Sequence, residues 1–268
     1  MIVGTTVTLN VLPRYRTDRI NGELNIKRDY LRKYSPAGVY SQVRETNVNI
    51  VSLSSPGIHF VLERDGIKPN YNASRDLRWL EETAAKLDAK YVVFHGQKPS
   101  KKRNRQQIIE LTKQMLSSYK FIPLWETFDG RRRVLANPEE IAKSGFEICY
   151  DVVHLGLETP LDRAAEINKY PVRTIHLSNF CGKNEYDGNR TETDRRIKAL
   201  YNREGRKNFI QHLSPFHPQG RIDVARMLNE IKKNDLMIFT EYMPPYMKDE
   251  RMADLRRLNN LLAQRINI

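Results

Sequence analysis

Six side chains that could bind a metal or transfer a proton lie at the ends of short runs rich in apolar and β-branched residues. They are His95, Glu126, Asp151, His176, His212 and Glu241. Carboxylates and imidazoles are ligands for divalent cations, and they are also the usual general acids and bases of enzymes. A charge next to an apolar run is costly to bury unless a cation or a counter-charge accompanies it. The recurrence of the pattern therefore predicts one shared site.

Each of these residues also has a simpler interpretation when taken singly. A strand-end carboxylate commonly caps the next helix, and a lone histidine is more often a core or surface residue than a ligand. His154 strengthens the collective interpretation, because Asp151-Val-Val-His154 places two donors within one turn. His59 and His217 lie farther into loops, and we expect both to be structural or solvent-exposed.

The elements that must position these residues are strands alternating with helices, as in βαβ units. Eight strands are expected near residues 2–8, 48–54, 91–95, 121–126, 146–151, 173–178, 209–213 and 236–241. Helices should begin at Asn137-Pro138, with Gly145 ending the first, and at Thr159-Pro160. No Gly-rich turn follows the first strand, as a dinucleotide-binding sheet would require. The pattern favours an α/β fold of the (β/α)₈ TIM-barrel type, in which active sites lie at the carboxyl ends of the strands.

Composition narrows the class of protein further. The 268 residues are 40% hydrophobic and 29% charged, and we expect a single domain over 1–268 with a basic insertion at about 183–208. No apolar run approaches the roughly 18 residues of a membrane span, and the first residues resemble a strand more than a signal peptide. We therefore expect a cytoplasmic protein without a membrane partner. Cys149 and Cys181 are interpreted as ordinary thiols.

The net charge of +13 permits an anionic partner. Basic residues cluster after three of the strands that carry candidate ligands. They are Lys98, Lys101, Lys102, Arg103 and Arg105, then Arg131, Arg132 and Arg133, then Arg190, Arg195, Arg196, Lys198, Arg203, Arg206 and Lys207. The insertion also contains Glu185, Asp187, Glu192, Asp194 and Glu204, so a solvated charged surface is the alternative interpretation.

From about residue 48 to residue 241 the chain resembles the xylose isomerase-like TIM-barrel superfamily. That superfamily contains sugar isomerases, sugar epimerases and apurinic/apyrimidinic (AP) endonucleases of the endonuclease IV type, AP endonuclease family 2. The matching pieces are His95-Gly, Glu126, Asp151-Val-Val-His154, His176-Leu-Ser, Gly220-Arg-Ile-Asp223 and Glu241.

The resemblance implies a ligand set. The isomerases and epimerases hold their metal with four residues that match Glu126, Asp151, His176 and Glu241. The endonuclease IV type has a three-zinc cluster, whose additional histidines match His95, His154 and His212. It also needs a histidine after the second strand and an aspartate two residues before the last histidine. Ser55 and Ile210 stand near those places, so a complete three-zinc site is not expected.

Three carboxylates and one imidazole suit Mn²⁺, Mg²⁺, Co²⁺ or Zn²⁺. Such an ion could bind a hydroxy-ketone and stabilise an enediolate, with Glu126 and Glu241 as general base and acid, roles that resemblance to the epimerases also implies. His154 could then bind a substrate oxygen, and His95 could line the pocket or orient Glu126. We predict a metal-dependent isomerase or epimerase of carbohydrate metabolism that acts on a sugar or sugar phosphate.

Two alternatives remain open. The first is an AP endonuclease that hydrolyses a phosphodiester while the basic loops hold nucleic acid. The second is a metal-binding barrel that has lost catalysis. An oligomeric assembly is compatible with all of these functions.

Overall fold

Eight parallel strands close into a barrel in the computed structural model, which describes residues 1–60, 70–98, 104–128, 133–154, 159–204, 209–242 and 246–266. The barrel strands are β1 Ile2–Val7, β2 Ile20–Asn25, β3 Val48–Ser54, β4 Tyr91–His95, β5 Ile122–Glu126, β6 Glu147–Asp151, β7 Val172–Leu177 and β10 Met237–Thr240. Around the ring they follow the order β1, β10, β7, β6, β5, β4, β3, β2. The predicted TIM-barrel fold is confirmed.

Helices connect the strands and cover the outside of the barrel. They are α1 Tyr30–Lys33, α2 Pro36–Arg44, α3 Tyr71–Leu87, α4 Arg105–Leu116, α5 Pro138–Lys143, α6 Pro160–Lys169, α7 Glu192–Glu204, α8 Val224–Glu230 and α9 Lys248–Ile266. The predicted helix starts are confirmed: the Asn137 side chain accepts from the backbone N–H groups of Glu139 and Glu140, and that of Thr159 accepts from Asp162. Each such cap is worth about 1 kcal/mol. Gly145, at φ 77°, follows the first of these helices, as expected.

Two strand assignments made from the sequence were wrong. The second barrel strand is β2, which was not recognised from the sequence. The strand at 209–213 exists as β9 Phe209–Leu213, but it pairs antiparallel with β8 Asn179–Gly182 outside the barrel. In β2, the sequence Ile-Asn-Gly-Glu-Leu-Asn has too few apolar residues to show strand periodicity. In β9, the alternation of apolar and polar residues predicts a strand, but it carries no information about which sheet that strand joins.

The two faces of the barrel strands pack into different cores. Side chains such as Phe94, Trp125 and Tyr150 lie in the large core that also contains residues from the covering helices. Alternate side chains form a smaller apolar cluster, made of Val93, Leu124, Cys149, Met237 and Phe239. Because strand residues alternate in direction, this second cluster fills the barrel interior. The interior is therefore a packed core beneath the rim where the candidate ligands lie.

A separate small core lies around the β8–β9 pair outside the barrel. Its members include Cys181, Tyr186, Ile197, Tyr201 and Ile210. Cys149 and Cys181 are both buried and free, as expected for ordinary thiols. Among the described residues, no helix is long and apolar enough to cross a membrane.

Candidate metal centre

Four carboxylate and imidazole side chains converge at one point of the barrel rim. Glu126 ends β5, Asp151 ends β6, His176 lies near the end of β7, and Glu241 directly follows β10. These four strands are consecutive neighbours in the ring. One ligand atom from each residue lies within 4.8 Å of the others. The sequence-predicted set is therefore assembled in one place, because parallel strands bring their carboxyl ends to the same rim.

The donor set has the chemistry of a divalent-cation site. Glu126 Oε2, Asp151 Oδ2 and Glu241 Oε2 are buried and have no hydrogen bond within the described part of the chain. Nδ1 of His176 lies 3.4 Å from Glu126 Oε1 and 3.4 Å from Glu241 Oε2. Three buried carboxylates that face one another repel unless a positive charge lies between them. The residues present thus fit a metal ion with three oxygen donors and one nitrogen donor.

Three further histidines lie against these carboxylates, and one of them, His154, lies near both Asp151 and Glu126. His95 Nε2 is 3.1 Å from Glu126 Oε2, and His154 Nδ1 is 3.2 Å from Asp151 Oδ2. His212 Nδ1 is 3.7 Å from Glu241 Oε2. Although the first two pairs are close, the two carboxylate oxygens form no aligned hydrogen bond. Asp151, His154 and His212 also form a second group whose ligand atoms lie within 4.8 Å of one another.

His212 reaches the site from β9, and therefore from outside the barrel. Its backbone is left-handed, with φ 56°, and its Nδ1 lies 3.4 Å from Ser178 Oγ. A left-handed histidine costs of order 1 kcal/mol and persists only where surrounding contacts require it. The expectation that His212 ends a barrel strand was thus wrong, whereas the expectation that it lies near the other donors is confirmed by the 3.7 Å contact.

An aromatic wall positions two of the histidines. The Phe128 ring stacks on His154 with centroids 4.4 Å apart and lies 5.7 Å from the His95 ring. The Arg133 guanidinium lies over the same Phe128 ring, at 4.8 Å. The ring restricts the rotamers of both histidines, and the cation adds to the stack.

The turn that carries Asp151 and His154 is fixed from beneath by a buried arginine. Arg163 is 2% exposed, and it donates from Nε to the carbonyl of Val152 and from Nη1 to that of Thr159. Asp151 Oδ1 accepts from the backbone N–H of Val153, at 2.8 Å. One Asp151 oxygen is therefore committed to the turn, and the other faces the centre.

Burial and the neighbouring charges shift the pKa values of the groups at the centre in different directions. Burial alone would raise the pKa of Glu126, but His95, His176 and His154 together hold it well below its usual range. Burial raises the pKa of Glu241 and outweighs the opposing effect of His212 and His176, while Asp151 and Glu126 add to the increase. Burial would lower the pKa of His176, but the carboxylates of Glu23 and Glu126 raise it.

Glu23 is the residue of this cluster that reasoning from the sequence missed. It lies in β2, is fully buried, and its Oε1 is 2.7 Å from His176 Nε2. Its Oε2 accepts from the hydroxyl of Ser52 at 2.8 Å. The available signal was a lone acid between Gly22 and Leu24, which becomes meaningful only once β2 is recognised as a buried strand.

Ser55 and Ile210 are the positions where the resemblance implied that two donors of a three-zinc cluster are missing, although Ser55 follows the third barrel strand and not the second. Ser55 is buried just after β3, and its hydroxyl has no hydrogen bond to any described residue. Ile210 is fully buried in the small core beside β9.

Several of the predicted basic residues are paired with acids. Arg105 makes two hydrogen bonds to Glu140, of 2.6 and 2.8 Å. Arg195 and Arg196 both bond Glu192. Arg190 lies 3.7 Å from Asp187. Lys98 and Lys198 are exposed.

Other basic positions cannot be placed against the site. Lys101, Lys102, Arg103, Arg131, Arg132, Arg206 and Lys207 lie outside the described residues, and the side chain of Arg203 is also outside them. Of the two remaining histidines, His59 is half-buried, and His217 Nε2 lies 3.1 Å from Asp194. The structural interpretation of His217 agrees with that contact.

No family model matches the chain, and no curated protein matches it by sequence. Solved structures do match over nearly its whole length. Endonuclease IV from Thermus thermophilus is 16% identical, with a TM-score of 0.62, and the match covers 98% of this chain and 100% of that one. A D-tagatose 3-epimerase-like protein is 13% identical, with a TM-score of 0.62 and coverage of 100% and 99%. A xylose isomerase domain protein from Alicyclobacillus acidocaldarius subsp. acidocaldarius is 14% identical, with a TM-score of 0.62 and coverage of 98% and 99%.

Proposed function

We propose, for this chain with the xylose isomerase-like TIM-barrel fold, a metal-dependent isomerase or epimerase that acts on a sugar or sugar phosphate. The observation that carries the proposal is the convergence of Glu126, Asp151, His176 and Glu241 on one point of the rim. The match to a D-tagatose 3-epimerase-like protein adds support at the level of the fold.

The same four residues would hold the cation. Mn²⁺, Mg²⁺, Co²⁺ and Zn²⁺ all accept this mixture of carboxylate oxygen and imidazole nitrogen. When bound, the ion would supply Lewis-acid polarisation of a carbonyl oxygen of the substrate. Asp151 and His176 are 0% and 2% exposed, so they suit the role of fixed ligands.

Glu126 and Glu241 would transfer the proton. They come from β5 and from the end of β10, with β6 and β7 between them, so they approach the centre from two sides. One carboxylate removes the proton next to the substrate carbonyl, and the other returns a proton from the opposite side, which inverts that carbon. His95 lies against the Glu126 carboxylate and orients it. His212 lies against the Glu241 carboxylate and orients it. His154, which stacks on Phe128, would contact a substrate oxygen.

The proposal is tested by proton exchange in D₂O. Ketoses and ketose phosphates are incubated with the protein and each of the four metals, and deuterium incorporation next to the carbonyl is followed by NMR. Glu126→Gln and Glu241→Gln should each reduce exchange by about 10²-fold or more, because an amide cannot transfer the proton. Glu139→Gln, which removes an exposed carboxylate paired with Lys143, is the matched control. Normal exchange in both site variants, or none in the wild type with any metal, contradicts the proposal.

A second function is supported by a separate observation, the ligand group formed by Asp151, His154 and His212. A second ion there would support phosphodiester hydrolysis on DNA with an abasic site, and the match to endonuclease IV is compatible with this activity. The pairing of Arg105, Arg195 and Arg196 with acids favours the carbohydrate substrate.

Salt dependence separates the two functions. For binding to duplex DNA, the logarithm of the association constant should fall with the logarithm of the salt concentration, with a slope of about −0.9 per phosphate contacted. Binding of a sugar that carries one phosphate should depend only weakly on salt concentration. Binding to duplex with an abasic site at two salt concentrations, together with a strand-cleavage assay with Zn²⁺ or Mn²⁺, gives the answer. Cleavage with a steep slope would establish the nuclease, and metal analysis should then find more than one ion per chain.

A further inference from the structure

We propose that Glu23 is a positioning residue that determines which ring nitrogen of His176 faces the candidate metal centre. The effect on the histidine ring follows from contacts within the chain alone. Its consequence for metal affinity rests on the proposed function, in which His176 is a ligand.

Glu23 reaches His176 across the inside of the barrel. β2 and β7 are separated in the ring by β1 and β10, so the two residues are not on adjacent strands. The distance of 2.7 Å between Glu23 Oε1 and His176 Nε2 is that of a short charge-assisted hydrogen bond. Both side chains are buried, at 0% and 2% exposure, so water does not compete for this bond.

Both oxygens of Glu23 are used. Oε1 faces His176, and Oε2 accepts from the Ser52 hydroxyl at 2.8 Å. The Ser52 hydrogen bond restricts rotation of the carboxylate and keeps Oε1 directed at the ring. Because neither oxygen is left over, Glu23 differs from Glu126 and Glu241, each of which has a buried oxygen without an aligned partner among the described residues.

The backbone of β2 is irregular at this residue. The register of β2 against β3 shifts between Gly22 and Glu23, and such bulges redirect a side chain. Gly22 has no room for a side chain, since an added Cβ would lie 2.8 Å from Val48 Cγ1. Gly22 therefore allows β2 to pack closely against its neighbours, and the register shift after it redirects the Glu23 carboxylate.

The consequence for His176 concerns its tautomer. A carboxylate only accepts hydrogen bonds, so Nε2 must carry a proton, and in the neutral ring Nδ1 then presents a lone pair. Nδ1 is the nitrogen that lies 3.4 Å from both Glu126 and Glu241. A hydrogen-bonded carboxylate behind a ligating histidine orients the ring and makes it a better donor. Glu23 thus prepares His176 for the cation before any cation arrives.

The direct test is the tautomer of His176 in the metal-free protein, measured by ¹⁵N NMR of histidine-labelled samples. The His176 signal is assigned from its loss in His176→Gln. At a pH above the raised pKa of His176, where the ring is neutral, the wild type should show Nε2–H and an unprotonated Nδ1. Glu23→Leu should abolish this preference, and Ser52→Ala should weaken it. Glu166→Gln, which removes the carboxylate that bonds Tyr150 in the outer core, is the control and should leave the tautomer unchanged.

Metal affinity is the second readout, measured by dye competition with Zn²⁺ and Mn²⁺. Loss of such a supporting carboxylate should weaken binding by about 10–100-fold. Glu23→Gln keeps an acceptor oxygen and should lose less than Glu23→Leu. Urea unfolding of each variant shows whether it folds, and if Glu23→Leu does not, Glu23→Gln and Ser52→Ala carry the test.

Two results would overturn the inference. One is a neutral wild-type His176 ring whose single N–H proton is on Nδ1. The other is a folded Glu23→Leu protein with the wild-type tautomer and a metal affinity within about twofold of wild type, well below the expected loss. Failure of the proposed function can be distinguished from failure of this inference. A protein that turns over no sugar can still have the Nε2–H tautomer of His176 and lose it in Glu23→Leu.

Discussion

Asp151→Asn provides the sharpest test of the candidate metal centre, because it should change stability in opposite directions with and without metal. Asp151 is fully buried, its Oδ1 accepts from the Val153 backbone, and its Oδ2 has no aligned partner among the described residues. Asparagine has nearly the same shape but no charge. In metal-free protein the substitution should therefore raise the free energy of unfolding by about 1 kcal/mol, since a buried charge without an aligned hydrogen bond at Oδ2 is removed.

With metal bound, the wild type should be more stable than Asp151→Asn. At a metal concentration of about 100 Kd, binding stabilises the wild type by about 2.7 kcal/mol. For a chain of 268 residues this corresponds to a Tm increase of roughly 5 °C. If losing one of four donors weakens binding about 100-fold, the same concentration stabilises Asp151→Asn by only about 0.4 kcal/mol, or roughly 1 °C.

The assay is thermal unfolding of both proteins, each stripped with a chelator and then titrated with Mn²⁺, Co²⁺, Zn²⁺ and Mg²⁺. Glu139→Gln, an exposed change away from the site, should follow the wild type throughout. A wild type whose Tm does not respond to any of the four metals would refute the reasoning, as would an equal metal-induced increase in Asp151→Asn.

Three further predictions concern the groups around the centre. Arg163→Met should lower the free energy of unfolding by about 2 kcal/mol in urea, because the buried Val152 carbonyl loses its donor and the Thr159 carbonyl loses one of its two; an unchanged urea midpoint would argue against this anchoring role. In metal-free protein the raised pKa of Glu241 means that the folded state holds the proton more tightly, so stability present below the ordinary value of 4.5 is lost as pH rises through the folded-state pKa. Urea unfolding between about pH 5 and 8 should show this decline in the wild type and a smaller one in Glu241→Gln. Phe128→Leu should cost about 1 kcal/mol in thermal unfolding through loss of its stack on His154, and no loss would mean that the stack contributes little.

The four-residue set could be predicted from the sequence because each member follows a strand with clear periodicity. In Ile-Pro-Leu-Trp-Glu126 and Glu-Ile-Cys-Tyr-Asp151, the apolar run identifies the strand, and the polar residue marks its end. Once the strands are known to be parallel, their ends must share a rim. The helix starts at Asn137 and Thr159 were equally accessible, since capping depends on local residues only.

Glu23 and β9 could not be predicted in the same way. The strand that carries Glu23 has a buried acid and a glycine where apolar residues would normally reveal a strand, because its interior face serves His176. The placement of β9 depends on pairing with β8 and on packing of Ile210 and Leu213 in a separate core, which no local pattern encodes. Both failures occurred at residues that contact the site, where local preference gives way to tertiary contacts.

Because His212 belongs to the β8–β9 pair, it is held by a different cooperative unit from the other donors. Local opening has a free energy that depends on the contacts of the opening segment, and a two-stranded sheet over a small core opens more readily than a closed barrel. Amides of β9 should therefore exchange with solvent faster than those of β5, β6 and β7. Each opening event would withdraw the imidazole from Glu241 and leave Glu126, Asp151 and His176 in place, so the centre would alternate between two states without any unfolding of the barrel.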